Sequence, residues 1–243
     1  MPRALRAAVG GLVYHVLNRA NARLRLFDRH EEYELFEQVL TEAHEKVATR
    51  TLAFCVMPNH WHMVLWPRED RDLSEFMRWL TVAHTQRRHA IGRTAGTGHI
   101  YQGGFKSFPV QCRRPTAAQR ASGMIEMADP LYRVLRCVER NALGAGLVKR
   151  AEHWRWTRLW RRTSGDAQQR VLLTDPPEGW AADWLAMVNQ PETEEELAAV
   201  RRCVNRGRPL RSETWVRRIA ATLGLESTLR ARGRPRKTAN KGS

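Results

Sequence analysis

The segment MPNHWHMVLWP (Met57–Pro67) contains a turn signal followed by an apolar strand that carries two histidines. Pro58 and Asn59 are residues that tight turns prefer, because proline presets one backbone angle and asparagine tolerates unusual ones. The run Thr51–Met57 before the turn is also apolar and rich in residues that favour strands. The segment therefore predicts a hairpin of two antiparallel strands.

His60 and His62 are one residue apart, so in a strand both project from one face while Trp61 projects from the other. Two neutral imidazoles on one face can bind one divalent metal ion. The alternative is two histidines with ordinary hydrogen-bond partners. A metal site would need a third ligand from elsewhere in the chain.

The segments around the hairpin alternate between extended and helical patterns. We predict strands at Gly11–Asn21 and Tyr101–Val110, and helices from Asp28 to about Val47, at Leu73–His89 and at Leu131–Leu143. This order predicts an α+β fold: a ferredoxin-like (RRM-like) antiparallel sheet with helices on its faces. The polar stretch at residues 113–123 is predicted as a loop or a short helix.

The chain becomes loop-rich after the aromatic segment HWRWTRLW (His153–Trp160), which we expect to pack back onto the sheet. We therefore predict a sheet domain at residues 1–162 and a connecting helical and loop segment at 163–204. Residues 205–243 are predicted as a mainly helical, basic C-terminal extension.

Positive charge is concentrated near the C-terminus. The net charge is +16, and residues 201–243 hold 13 Lys and Arg against two acidic residues. Such a distribution is typical of proteins that bind a polyanion, with nucleic acid as the leading candidate. An anionic membrane is the second candidate, but the tail lacks the broad apolar face of an interfacial helix.

Other compositional features predict a soluble cytoplasmic protein. No apolar run approaches the roughly 20 residues of a membrane-spanning helix, and the first eleven residues are too weakly apolar for a secretory signal. None of the four cysteines lies in a C-x-x-C pair, which fits a reducing compartment.

Five blocks occur in one order along the chain: YHVLNRAN, MPNHWHMVLWP, GHIYQGGFKS, RCVERNALGAGLV and WRWTRLW. They resemble the REP-associated tyrosine transposases of the HUH single-tyrosine superfamily. The resemblance covers residues 11–162 and extends to the terminal RGRPRK. It implies an HUH endonuclease fold for residues 1–162, with single-stranded or hairpin DNA as the partner, no small-molecule substrate, and a monomer or homodimer.

The resemblance also implies a chemistry. In that family a tyrosine attacks a single-strand DNA phosphodiester, forming a 5′-phosphotyrosine link, and Mg²⁺ or Mn²⁺ polarises the phosphate oxygens. The metal ligands would be His60, His62 and Asn141. The tyrosine position is occupied by Cys137, which shares a helix face with Asn141 at spacing i, i+4.

Cys137 has two interpretations. It is either a thiolate whose pKa is lowered by a metal and arginines, or a small residue packed beneath the site, and we expect weak cleavage or none. Tyr132 is about 140° away from Cys137 around the axis of the same helix, and is therefore poorly placed to act as the nucleophile instead. Gly104 and Gly144 stand where the family usually has basic residues, which weakens phosphate contact; Gly144 also weakens or caps a helix end.

Basic and polar residues outside the metal set are candidates for DNA contact. Asn18, Arg19 and Lys106 lie near strand ends. Two R-G-R-P tetrads resemble AT-hooks, whose arginines enter an A·T minor groove, and their candidates are Arg206, Arg208, Arg232, Arg234, Arg236 and Lys237. A basic tail that binds phosphates non-specifically is the alternative. Residues 212–230 between the tetrads suggest a helix-turn-helix.

These features leave three functions open. The first is transposase-like nicking and strand transfer at hairpin DNA, impaired by Cys137. The second is a hairpin DNA-binding protein that does not cleave. The third is a protein that binds structured RNA.

Overall fold

A computed structural model describes residues 8–92, 98–112, 129–170 and 172–230. Four strands form one antiparallel sheet in the order β2-β3-β1-β4. The strands are β1 (Val13–Arg19), β2 (Thr49–Met57), β3 (His60–Pro67) and β4 (Lys106–Val110). This strand order and the helices on both faces confirm the predicted α+β, ferredoxin-like fold.

The pairing of β1 with β3 places both histidines of β3 near one end of the sheet. Arg19 lies opposite His60, and Leu17 lies opposite His62. Because directly opposed residues share a face, the histidine face of the sheet also carries the side chain of Arg19. The tight Pro58–Asn59 connection between β2 and β3 confirms the predicted hairpin.

The opposite face of the sheet is covered by α1 (His30–Lys46) and α2 (Asp72–Gly92). Trp61 is fully buried there, against Phe36. Its indole Nε1 donates to the Tyr101 hydroxyl at 3.2 Å. The predicted opposition of Trp61 and the two histidines is therefore present.

The histidine face is covered by α3 (Pro130–Gly144), which begins where the Asp129 carboxylate accepts a hydrogen bond from the Leu131 amide. Apolar α3 side chains such as Val138 pack onto β2 and β3. On the other side, the Glu139 carboxylate lies 3.6 Å from the Arg158 guanidinium, and both are buried. This ion pair ties α3 to α4 (Arg158–Ser164).

Four further helices follow: α5 (Ala167–Arg170), α6 (Trp184–Asn189), α7 (Glu194–Arg206) and α8 (Glu213–Leu223). Side chains from this part pack into the same apolar cluster as α3 and the histidine face; they include Trp184, Val188, Val200, Cys203 and Leu210. Residues from all three predicted segments thus contribute to one core. The division at residues 162 and 204 stays a prediction.

Two element boundaries differ from the predictions. β4 begins at Lys106 rather than Tyr101, because Gly103 has a left-handed backbone and Tyr101 forms only an isolated bridge with Ala20. The second helix of the suggested helix-turn-helix is a short 3-10 turn at Glu226–Leu229. Residues 113–123 lie outside the described part of the chain.

None of the helices in the described ranges is long and apolar enough to cross a membrane.

Candidate functional site

His60 lies at the start of β3, half-buried between the turn before it and α3. Its Nδ1 is 2.6 Å from Asn59 Oδ1, and its side chain also shares a hydrogen bond with Asn141. Burial, and next the nearby positive charge of Arg19, lower the pKa of His60 to about 4, although the bond to Asn141 opposes this shift. His60 is therefore neutral at physiological pH.

His62 contacts a histidine that the sequence interpretation did not include. Its Nδ1 is 3.0 Å from Nε2 of His15, which is buried on β1 and packs against Phe108. Burial, then His15, His60 and Arg19, lower the pKa of His62 well below its usual value. Burial lowers the pKa of His15 to about 3. The His60 and His62 rings lie with centroids 5.0 Å apart.

The side chains at this end of the sheet fit a divalent metal. Neutral imidazoles are the form that binds metal, and bonds to the second ring nitrogen hold the ring in place. Asn59 contacts His60 in this manner, and His15 contacts His62. Within the described ranges, no three His, Cys, Asp or Glu side chains cluster as a metal site. The resemblance implies that the third ligand would be the Asn141 amide oxygen.

Cys137 lies one helical turn before Asn141 but contacts a different partner. Its half-buried thiol shares a hydrogen bond with Glu192. Burial is the largest cause that raises its pKa, and the negative charge of Glu192 adds to it. Without a metal, these effects oppose the thiolate alternative, because they outweigh the nearby Arg136 and Arg201.

The helix face around Cys137 is covered by the segment 187–192, which we call the α3 cover. The Arg136 guanidinium donates to the carbonyl oxygens of Met187, Gln190 and Pro191 at 2.8–2.9 Å. Arg140 donates to two further carbonyl groups of the same segment. The position that resemblance assigns to the nucleophile is therefore part of a packed interface.

All four tyrosines of the chain lie in the described ranges and are buried. The Tyr132 hydroxyl donates to the Gly179 carbonyl at 2.7 Å, and the Tyr14 hydroxyl to that of Val9 at 3.1 Å. The Tyr101 hydroxyl lies 2.7 Å from His84 Nδ1, and the Tyr33 ring stacks on Trp156. Burial raises the pKa of Tyr14 and Tyr33 to about 12.

The three predicted phosphate contacts near strand ends do not lie together. Arg19 and Lys106 are exposed and lie on the histidine face of the sheet. Arg19 is directly opposite His60, and Lys106 is directly opposite Leu17. Asn18 is buried on the opposite face, where its Oδ1 accepts the Arg19 amide. Strand alternation therefore sends Asn18 and Arg19 to opposite faces of the sheet.

The first R-G-R-P tetrad does not have the extended form of an AT-hook. Gly207 has a left-handed backbone and ends α7, and the Arg206 guanidinium donates to the Arg230 carbonyl at 2.7 Å. Arg208 pairs with Glu213 at 2.8 Å. The candidates of the second tetrad, Arg232, Arg234, Arg236 and Lys237, lie outside the described residues.

Sequence reasoning missed His15, Asn59 and Glu192. His15 alternates with Leu17 and Arg19 along β1, so its place on the histidine face could be found once the β1–β3 register was known. Asn59 was interpreted only as a turn residue. Glu192 lies 55 positions after Cys137 in the sequence, and no local pattern joins them.

Residues 8–120 match the family model described as "Transposase IS200 like". No curated protein matches the chain significantly. One solved structure, described as "Structure of the REP associates tyrosine transposase bound to a REP hairpin", is 19% identical with a TM-score of 0.49, and the alignment covers 79% of this chain and 96% of that chain. A putative transposase from Deinococcus radiodurans R1 is 16% identical with a TM-score of 0.34, covering 50% and 90%.

The family match contains all four strands and both histidines of β3, and it ends before α3. It confirms the predicted resemblance at the level of the transposase family. Residues 8–120 of this chain are thus similar to the IS200-like transposases.

Proposed function

We propose that this protein binds hairpin-bearing single-stranded DNA at the end of its sheet that carries His60 and His62, and cleaves it weakly or not at all. The transposase family of residues 8–120 supports a DNA substrate, and the chain's net charge of +16 supports a polyanionic partner. The structure described as a transposase bound to a REP hairpin supplies the specific suggestion of hairpin DNA. In this proposal the chain derives from the REP-associated transposases.

The surroundings of Cys137 are the observation that carries the second half of the proposal. Cleavage in this family needs an ionisable hydroxyl beside the scissile phosphate. Here the thiol is kept protonated by burial and by Glu192, and the hydroxyl groups of Tyr14, Tyr101 and Tyr132 are hydrogen-bonded inside the protein. A protonated thiol is a poor nucleophile toward a phosphodiester.

The proposed metal ligands can contribute to DNA binding even when no nucleophile is present. A bound Mg²⁺ or Mn²⁺ would polarise the phosphate oxygens. His60, His62 and Asn141 would hold that ion, and exposed Arg19 and Lys106 would contact neighbouring phosphates. Such a site fixes the position and register of a DNA strand even when no bond is broken.

A covalent-adduct assay tests the proposal. The full chain is incubated with a labelled DNA hairpin carrying a single-stranded flank and with Mn²⁺ or Mg²⁺, and then separated on a denaturing gel. We expect no adduct from the natural chain. Cys137→Tyr restores a phenol whose oxygen can attack phosphorus while the 3′ oxygen leaves as a hydroxyl, so this variant should yield a 5′-phosphotyrosine adduct.

Cys137→Phe is the matched control, since it adds the same ring without a hydroxyl. Because Glu192 contacts the thiol, Glu192→Ala is combined with each substitution to make room for the ring. An adduct from the natural chain in a yield equal to that of Cys137→Tyr would overturn the proposal that the natural chain cleaves weakly or not at all. Equal affinity for a matched RNA hairpin would overturn the proposal of a DNA-specific site.

A further inference from the structure

A cleft of about 440 Å³ lies at the opposite end of α3 from Asn141. It is bounded by the N-terminal turn of α3, by α7 and by the strap between α7 and α8. Four arginines line it: Arg133, Arg202, Arg208 and Arg211. Asp129 is the one acidic residue among its lining residues in the described chain, so the cleft carries a net positive charge.

Three of these arginines have unused hydrogen-bonding capacity. The side chains of Arg133, Arg202 and Arg211 form no hydrogen bond or ion pair with another residue of the described ranges, and the Nε of Arg133 is buried without a partner. Arg208 is paired with Glu213 at its outer edge. A buried guanidinium nitrogen without an acceptor is costly, and an anion in the cleft would supply the acceptor.

The arginines along α3 therefore differ in whether their guanidinium groups have hydrogen-bond acceptors within the protein. Arg136 and Arg140 are saturated by carbonyl oxygens of the α3 cover, whereas Arg133, one turn before Arg136, faces the cleft. The strap is held in place because Leu210 is buried and exchanges backbone hydrogen bonds with Pro109 and Gln111 beside β4. The cleft is thus built on fixed elements.

The cleft lies a short distance from the end of the sheet that carries His60 and His62. Arg133 and Asn141 are eight residues apart on one helix, which corresponds to about 12 Å along its axis. At a rise of about 3.4 Å per nucleotide along one strand, this distance is about four nucleotides. A bound DNA strand of four or more nucleotides is therefore long enough to span the two places.

We infer that the arginine cleft binds a backbone phosphate of the same DNA that the end of the sheet with His60 and His62 holds, and so acts as a second anchor about four nucleotides away. This inference rests on the proposed DNA-binding function. Arginine matches phosphate geometry because its planar fork donates two parallel hydrogen bonds. The contact is independent of base identity, so it contributes affinity and register.

The test is the salt dependence of hairpin binding, measured by fluorescence anisotropy with the full chain and a labelled DNA hairpin that has a single-stranded flank. The paired variant Arg133→Gln/Arg211→Gln should lower the magnitude of the slope of log K against log salt by about 0.7–0.9, because that is the contribution of the one phosphate contact that the cleft provides. The substitution Arg202→Gln, at an exposed position, should lower the magnitude of this slope by at most the contribution of one phosphate contact.

The matched control is Arg217→Gln/Arg218→Gln, which removes the same charge from exposed positions of α8 outside the cleft. Its slope should stay close to that of the natural chain. Equal reductions in both double variants would overturn the cleft as a site, since only total charge would then matter. A thermal melt of each variant confirms folding, and Arg202→Gln keeps the test valid if the double variant unfolds.

The outcomes separate the two proposals. If the natural chain does not bind the hairpin, the proposed function and this inference both fail. If it binds and the cleft variants leave the slope unchanged, only the cleft fails.

Discussion

The C-terminal end of α3 and the middle of the same helix have opposite relations to their surroundings. At the C-terminal end, Asn141 shares a hydrogen bond with His60, and neutral imidazoles face one another near solvent. One turn earlier, Cys137 contacts Glu192 beneath the α3 cover. Two positions that share a helix face in the sequence pattern are therefore placed in different environments.

Under the proposed function, this difference makes binding and cleavage separable in this fold. The residues proposed to orient a phosphate lie on the sheet and at the end of α3. Residue 137, at the position that the resemblance assigns to the nucleophile, instead lies against the α3 cover. The following predictions test that separation from its largest expected effect to its smallest.

The α3 cover should matter most for stability. Arg136→Met should lower the free energy of unfolding by about 3–5 kcal/mol, because buried carbonyl groups and Glu196 lose a charged donor. Urea unfolding measures the change. Arg133→Met on the same helix should cost at most about 1 kcal/mol, and similar losses in both variants would contradict the contrast between the covered middle and the open N-terminal end.

Substitution of His62 should strongly reduce metal binding and should have only a small effect on the free energy of unfolding. Mn²⁺ at about 100 times its Kd should stabilise the natural chain by about 2.7 kcal/mol. His62→Ala should abolish that shift while costing about 1 kcal/mol without metal, through loss of the contact with His15. His153→Ala, at an exposed position, is the control, and an undiminished Mn²⁺ effect in His62→Ala would refute the ligand assignment.

Alkylation kinetics should report the protonated state of Cys137. At pH 8 it should react with iodoacetamide at least about tenfold more slowly than a free cysteine, whose pKa is near 8.5, because burial and then Glu192 raise the thiol pKa. Glu192→Gln removes the negative charge and should speed the reaction, with a pH midpoint shifted downward. Exposed Glu195→Gln should leave the rate unchanged, and a fast reaction of the natural thiol would contradict the assignment.

The smallest effect is expected at the last residue of α3. A side chain added at Gly144 meets no atom within 4 Å, so Gly144→Arg should be tolerated and should increase the salt slope of DNA binding by about one phosphate contact. Gly144→Ala supplies the gain in helix propensity, at most about 1 kcal/mol, without the charge. An equal slope for both variants would show that residue 144 lies away from the DNA.

The sheet and the shared face of the two histidines could be predicted because both depend on local alternation. The strand period places His60 and His62 together in any register, and the turn at Pro58 joins their strand to the one before it. The start of β4 was missed because consecutive glycines at 103 and 104 allow backbone angles that a strand pattern does not reveal.

The environment of residue 137 could not be predicted, since it is set by a segment about 50 residues further along the chain. The resemblance placed arginines near the cysteine and suggested a lowered thiol pKa. Those arginines are instead occupied by carbonyl groups of the α3 cover, and desolvation is the larger effect on the thiol. The surroundings of a side chain such as Cys137 depend on packing against residues distant in the sequence, which no local sequence pattern predicts.

A crystal structure of the protein with Mn²⁺, with the ion located by anomalous scattering, tests the central claim most directly. We predict one peak within about 2.0–2.2 Å of a nitrogen of His60, a nitrogen of His62 and the amide oxygen of Asn141, with the Cys137 thiol still bonded to Glu192. A structure with no peak there, or with Asn141 turned away and the Cys137 sulfur on the ion, would contradict the account.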